Sequence, residues 1–400
     1  MRALIRTFVV LIAVACAAAA QAAEPPALAL DAGAAARLEA AAEAYRRIDS
    51  EGGWPALADG PALRAGDTDP RAAALRRALA TLGDLAADAA GDPRTVTAEI
   101  AAAVVRFQAR HGLAADGVVG RDTRAALNVP AAERARALAL NAGRLRALAP
   151  RIPRRAVVVN IPAFALALLA DGRAEFAARV IVGLPSWRTP TLESAIDRIE
   201  VNPDWNVPRS IARRELAPKI AADPGYLARH DMRVLAGPPG AAREVAPEEV
   251  DWSRFAASGL RLRQDPGPDN PLGAVAFRFP NPYDVYLHDT PAKSLFRGDA
   301  RALSHGCVRV EDAFALAVRL FADDPRWTED RLRAEIATGR NVWIALAVPI
   351  PVHLVYVTAW VEPDGTVQFR RDIYRRDAAE RPATAEPCGA PAAPGEAPRG

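Results

Sequence analysis

The chain has 400 residues, enough for two or three domains, and half of them are apolar, so a sizeable core is available. The 51 basic and 48 acidic residues leave a formal charge of only +3, which excludes the basic excess of a nucleic-acid protein. Three cysteines exclude a disulfide framework, and the basic residues are almost all arginine, with Lys219 and Lys293 the two lysines.

Residues 1–22 read as a cleaved secretory signal. Arg2 and Arg6 form a basic start, Phe8 to Ala20 an apolar run, and Ala20-Gln21-Ala22 a small-residue cleavage site. The run is too short and too rich in alanine for a firm membrane anchor. Ala13 stands where a lipoprotein signal carries leucine, which argues against lipidation of Cys16. Cleavage after Ala22 removes Arg2 and Arg6 from the formal +3, leaving +1, and leaves Cys307 and Cys388 as the mature cysteines.

Residues 30–150 predict an all-α region. Amphipathic patterns run from Gly33 to Ile48, Arg71 to Leu85, Thr97 to His111 and Ala132 to Leu148, with Gly112 as a C-terminal stop for the third. From about residue 155 the pattern becomes β-rich. Ala156 to Ile161 is a β-branched run, and Phe164–Ala170 and Arg173–Val182 flank an Asp171-Gly172 hairpin signal. Further strands are expected at 195–201, 274–279, 285–288, 341–347 and 352–361. A second Asp-Gly turn at Asp364 leads into 366–374. Residues 210–255 read as a mainly helical insertion. Helices are expected at 310–321 and 329–337, the latter capped by Thr328 and stopped by Gly339. Residues 377–400 are rich in Ala, Pro, Glu and Gly and read as a disordered tail.

Chemistry concentrates between Tyr286 and Val310, which holds two of the five histidines and Cys307. His288 closes a strand, and Ser304-His305-Gly306-Cys307 forms a tight turn expected to lead straight into a helix. A thiolate is the nucleophile, a helix N-terminus lowers a thiol pKa, and a histidine in reach takes the proton. Gly306 lets backbone N–H groups approach a developing oxyanion. Three other readings stand beside this one. A lone cysteine is commonly a buried small hydrophobe, but this one sits in a polar turn. His288, His305 and Cys307 could hold zinc, but without a convincing fourth ligand. A Cys307–Cys388 disulfide would reach into the tail.

This segment closely resembles the active site of the L,D-transpeptidases of the YkuD type: a histidine, a spacer, then Ser/Thr-His-Gly-Cys, a hydrophobic residue and Arg. His288 lies 19 residues before Cys307, and Ser304 to Arg309 fits throughout. Val180 to Gly183, Thr189-Pro190, Asn202 to Pro208, Arg261 to Asn270 and Phe279 to Pro291 are similar to the long periplasmic murein-transpeptidase branch. Residues 73–128 resemble a peptidoglycan-binding-type helical module, carried by Phe107-Gln108, His111-Gly112-Leu113, Asp116 to Gly120, Thr123 and Ala126 to Asn128.

The resemblance implies an α+β multidomain protein. A mainly-β catalytic domain at 155–350 carries a helical capping insertion at 210–255. An all-α scaffold at 30–150 contains the binding-like module at 73–128. A C-terminal β-hairpin follows at 351–376. The implied activity is periplasmic peptidoglycan cross-linking between third-position stem residues, through a Cys307 thioester that releases D-Ala and is open to acylation by carbapenems. His288 is the implied general base, oriented by a backbone carbonyl that Asp289 could supply. Gly306 shapes the oxyanion turn and His305 supports it, while Arg309, Ser304, Tyr286 and Trp205 are implied substrate contacts. No metal or cofactor is implied. Stem peptides are the implied donor and acceptor, with an outer-membrane lipoprotein or wall-synthase enzymes as further candidates. No nucleic-acid partner is expected, and a monomer is. Rival outcomes are a carboxypeptidase or endopeptidase using the same thiol, or a non-catalytic wall-binding scaffold.

Overall fold

A computed structural model describes Leu28 and residues 30–379, apart from residues 90, 239 and 240. The expected signal at 1–22 and most of the expected tail, with Cys388, lie outside the described residues. Among those described, no helix is long and apolar enough to cross a membrane.

The N-terminal region is helical as its periodicity predicts: α1 (Ala34–Ser50), α2 (Ala72–Thr81), α3 (Ala98–Arg110), α4 (Arg121–Leu127) and α5 (Ala131–Leu148). Thr97 starts α3 by accepting the Ile100 amide at 3.3 Å, satisfying one of the donors a helix start leaves open. Leu75, Leu79, Ile100, Val104, Phe107 and Leu127 bury their side chains together, so α2, α3 and α4 form one small core. Helices α1 and α5 pack on each other and bury Leu38, Tyr45, Leu138 and Leu145 against the β region.

The β region is built from β1 (Arg155–Asn160), β2 (Ala165–Ala170), β3 (Arg173–Gly183), β4 (Leu192–Val201), β9 (Val275–Arg278), β10 (Leu287–His288), β11 (Ala302–Ser304), β12 (Val308–Val310) and β13 (Val342–Val355). Four intervening strands form a separate small sheet, described below. The strands run in the order β11-β3-β12-β10-β9-β4-β13-β1-β2, and β2 pairs again with β3, so eight strands close into a ring with β11 on its margin. Val157, Val159, Val180, Val182, Ile199, Val201, Phe277 and Leu287 fill it. Helices α9 (Ala313–Leu320) and α10 (Glu329–Ala337) supply Leu316, Leu320 and Leu332 to the same core. Thr328 caps α10 as expected, and Gly339 follows its end at φ 67°.

Three expectations are corrected. The insertion is α-helical only in its first half, with α6 (Arg209–Ile211), a π turn at Ala212–Leu216, α7 (Ala217–Ala222) and α8 (Tyr226–Arg229), and it keeps two 3-10 turns, Pro247–Glu249 and Trp252–Ala257, in its second. Its second half joins β5 (Trp205–Asn206), β6 (Met232–Ala236), β7 (Arg243–Val245) and β8 (Arg261–Gln264) into a small sheet of their own, ordered β5-β8-β6-β7. Short β-branched segments inside a polar stretch were masked by the helical pattern that precedes them. The strands expected at 341–347 and 352–361 are one, β13, which absorbs Pro349 and Pro351 through a register shift between Ala345 and Ile350. It therefore crosses the expected boundary at residue 350. The hairpin lies at β14 (Ala359–Val361) and β15 (Val367–Phe369), around Asp364-Gly365. Arg376–Ala379 forms a short helix, α11, where the tail was expected to begin.

Candidate active site

The ring brings His288 and Cys307 together. β10 and β12 pair in parallel with Leu287 opposite Val308 and His288 opposite Arg309, and the Val308 amide donates to the Tyr286 carbonyl at 3.0 Å. Cys307 precedes β12 directly, so it lies alongside the end of β10 although 19 residues separate the two side chains in sequence. Parallel neighbours need a crossover. This one passes through a 3-10 turn at Lys293–Arg297, and Lys293 Nζ clasps both ends, donating to Asp289 Oδ1 and to the Glu311 carbonyl, each at 2.5 Å.

His288 is buried, and its Nδ1 meets the Asp289 carbonyl at 2.5 Å. A carbonyl only accepts, so Nδ1 carries the proton and Nε2 is left with its lone pair. The Asp289 side chain is occupied elsewhere, holding the Ala274 amide at 3.0 Å and Lys293. Burial, with the Arg309 cation nearby, pushes His288 down to about 3, so the imidazole is neutral at pH 7.

Cys307 is half-buried and free, and its thiol donates to the Asp284 carbonyl at 3.8 Å. The helix expected immediately after it is displaced. β12 intervenes, Glu311 and Asp312 precede α9, and Asp312 caps that helix by accepting the Ala315 amide at 3.0 Å. The thiol therefore gains nothing from a helix N-terminus, whose effect fades within a turn. Burial instead pushes it up, against the lowering pull of Tyr286, Arg278 and Arg309. The resting pair is a neutral thiol and a neutral imidazole.

Gly306 sits at φ 119°, a conformation that L side chains rarely adopt. Its amide donates to Ser304 Oγ at 3.2 Å, and Ser304 Oγ donates to the Cys307 carbonyl at 2.6 Å. One expectation, that Ser304 contacts substrate, is corrected here. The Gly306 N–H is spent inside the turn, leaving the Cys307 amide as the open donor there. Ser304 is buried and braces the turn instead of meeting substrate.

His305 presents Nε2 to Glu215 Oε1 of the insertion at 2.6 Å and packs its ring edge on Trp187, centroids 5.2 Å apart. It ties the turn at residues 304–307 to the insertion. Among the described residues, no group of three or more His, Cys, Asp or Glu side chains is placed to hold a metal ion. Arg309 is half-buried beside Cys307 and His288, and its buried Nε has no partner, which leaves a guanidinium open to an anion. Tyr286 lies under the Arg278 guanidinium, 3.9 Å from its ring centroid, and interacts with the thiol. Trp205 lies in β5 and packs on the insertion core, so it is not brought to the thiol.

Several residues of the site were missed in the sequence. Tyr374 is buried, donates from its hydroxyl to the Gly183 carbonyl at 2.6 Å and accepts the Thr189 amide at 3.1 Å. Thr189 Oγ1 in turn donates to the Gly306 carbonyl at 2.8 Å and accepts the Gly183 amide at 2.9 Å. Residue 183 must be glycine, because a Cβ there would stand 1.9 Å from the Trp187 carbonyl. Asn281 shapes the turn that aims the Asp284 carbonyl at the thiol. Its Nδ2 donates to the carbonyls of Phe279 and Val285, and its Oδ1 accepts the amides of Tyr283 and Val285. The Asn281-Pro282 dipeptide is a turn signal that could have found it. Glu200 grips Arg278 at 2.5 and 2.8 Å and so steadies Tyr286.

A thiol beside a neutral imidazole, on neighbouring strands of a closed ring, defines a candidate site for cysteine acyl chemistry. The family-model matches and a curated relative point in one direction. Residues 154–341 match the YkuD model, described as the L,D-transpeptidase catalytic domain, and residues 68–127 match the "Putative peptidoglycan binding domain". A curated Haemophilus influenzae protein named "Putative L,D-transpeptidase" is 38% identical over 241 residues, covering 60% of this chain and 48% of that protein. The chain thus spans about half the length of that relative. An L,D-transpeptidase structure from Xylanimonas cellulosilytica shares 16% identity, over 74% of this chain and 99% of that one, at a TM-score of 0.23. One from Stackebrandtia nassauensis shares 14%, over 75% and 96%, at 0.26. Residues 154–341 are thus similar to L,D-transpeptidase catalytic domains, and residues 68–127, ahead of them, to a peptidoglycan-binding domain.

Proposed function

We propose that this protein is a periplasmic peptidoglycan L,D-transpeptidase, exported by a signal at residues 1–22. The observation that carries the reading is the parallel register of β10 and β12, with His288 Nδ1 committed to the Asp289 carbonyl. Nε2 is thereby kept as a proton acceptor on the strand beside Cys307.

In the first step, Cys307 gives its proton to His288 Nε2, and Sγ bonds to the carbonyl carbon at the L-centre of the third stem residue, expected to be diaminopimelate. The Cys307 amide holds the oxyanion. The C–N bond to the terminal D-Ala breaks, and His288 returns the proton to the leaving amine. In the second step, the side-chain amine of another stem attacks the thioester. His288 takes its proton, the new amide forms, and the thiolate leaves and is reprotonated. Arg309 holds a stem carboxylate through paired hydrogen bonds. No metal or cofactor enters either step. A carbapenem would acylate the same thiol.

The test is to incubate the mature protein with tetrapeptide muropeptides and follow D-Ala loss and dimers by mass spectrometry. Dimers in the wild type and none in Cys307→Ala are expected. Tripeptide monomers alone would assign hydrolysis, and full activity of Cys307→Ala would overturn the mechanism.

A further inference from the structure

A cavity of about 610 Å³ opens away from Cys307, between the helical module and the C-terminal hairpin. Its size suits a small ligand or a short peptide end. Leu113, Ala126, Val129, Ala137, Leu140 and Phe369 give it apolar walls. Four arginines line it as well; Arg136 and Arg371 pair with Glu133 and Asp122 of the same lining, which leaves Arg134 and Arg370. Arg134 lies over the Phe369 ring at 4.4 Å and donates from Nη2 to the Ala126 carbonyl at 2.8 Å. Arg370 lies over the Trp360 ring at 4.7 Å and donates to the carbonyls of Arg110 and Phe369 and to Gln368 Oε1.

Neither guanidinium forms an ion pair among the described residues. Glu362 acts on Arg370 only from beyond ion-pair distance. The acids that line the cavity are each engaged by a group other than Arg134 and Arg370. Asp377 is held by Arg144 and Thr358, Asp372 by Tyr356, Asp122 by Arg371 at 3.7 Å, and Glu133 by Arg136. Burial pushes both Arg134 and Arg370 down to about 10, so each cation is under-compensated where it sits. Two such cations on an apolar wall suit an anion with an apolar body.

We propose that this cavity is a second, non-catalytic site that takes the free carboxylate end of a peptide, with Arg134 and Arg370 holding the anion and Phe369 the adjoining side chain. Stem peptides of the wall and the C-termini of exported proteins share that chemistry. Naming the stem rests on the proposed function; the anion site does not. A stem held here would dock the protein on its polymeric substrate while Cys307 works on another.

Calorimetric titration of the full chain carrying Cys307→Ala, which silences turnover, tests this. The probes are a synthetic tetrapeptide stem, its C-terminal amide, and an all-L tripeptide acid. A binding event is expected that weakens roughly tenfold or more for the amide and on adding Arg134→Gln. Arg134→Lys should restore part of it. Ala137→Phe should abolish it by filling the cavity, so the outcome does not hinge on one variant's folding, which thermal melting monitors. Tighter binding of the stem or of the all-L acid identifies the source. Absence of binding, equal binding of acid and amide, or indifference to both Arg134→Gln and Ala137→Phe would overturn the site. Arg134→Gln alone, with Cys307 intact, should transfer from a soluble donor within about twofold of wild type. A wild type that transfers nothing would refute the proposed function instead.

Discussion

Two buried histidines, one in the ring and one in the helical module, are held in the same state by the same means. His288 Nδ1 donates to the Asp289 carbonyl at 2.5 Å, and His111 Nδ1 donates to the Phe107 carbonyl at 2.7 Å. Burial pushes both down, helped by Arg309 in the ring and by Arg134 and Arg110 in the module. Each therefore keeps a neutral ring with Nε2 unprotonated. What differs is the neighbourhood. His288 lies on the strand beside a thiol, whereas His111 is stacked between Phe107, at 3.8 Å, and Phe369, at 5.3 Å, in a cavity wall. A neutral buried imidazole therefore does not by itself mark a site; what distinguishes His288 is the strand register that sets a thiol beside it.

The comparison breaks most sharply on activity. His288→Ala should lower the rate of thioester formation by about 10²–10⁴-fold, the usual contribution of a positioned general base. His111→Ala should leave that rate within a few-fold while lowering the melting temperature. Single-turnover acylation by a carbapenem or a tetrapeptide donor measures the first, and thermal melting the second. Equal rate losses would remove the distinction.

The ring also depends on a hydroxyl far along the chain. Tyr374→Phe removes the group that joins the Gly183 carbonyl to the Thr189 amide, leaving both buried partners unsatisfied. A loss of about 1–3 kcal/mol in stability is expected. Because Thr189 holds the Gly306 carbonyl, acylation should slow more than in a variant of equal stability loss in the module. Denaturant titration beside acylation kinetics checks this.

Most of the ring's hairpins were legible because β-branched runs and Asp-Gly turns are local signals. The His288–Cys307 pair was legible only through its motif, since no local rule says that β10 and β12 pair. The bracing network was not legible: Gly183, Thr189, Gly306 and Tyr374 meet only after the ring closes. The same holds for Glu215 and His305, and for Arg134 and Arg370. The site of the helix after Cys307 was misread because Val308-Arg309-Val310 is short, and three residues do not separate a strand from a helix start.

The two histidines also predict a pH dependence. His288 has its ordinary value, 6.5, in the unfolded chain and about 3 in the folded one. Above pH 6.5 both forms are neutral and nothing is lost. As pH falls from 6.5 towards 3, the unfolded chain takes up a proton that the folded chain refuses, so stability falls. His111 acts in the same direction. Melting temperature should therefore drop between pH 7 and pH 4, less steeply in His288→Gln and in His111→Gln. An unchanged slope in both variants would show that neither ring is kept neutral by the fold.

The smallest effect is expected at His305, a third histidine whose neighbourhood differs from both. Its Nε2 faces a carboxylate, Glu215, and both partners are partly exposed. Arg214 adds a contact over Trp187, at 5.3 Å, so a few side chains carry the link from the insertion to the turn at residues 304–307. An exposed pair contributes at most about 1 kcal/mol and is screened by salt. Glu215→Gln should then raise KM a few-fold with kcat nearly constant, and the difference should shrink in high salt. A loss in kcat as large as that of His288→Ala, insensitive to salt, would instead make His305 a proton-handling group. The distinction between the neutral ring beside the thiol and the paired ring beside the insertion would then fall.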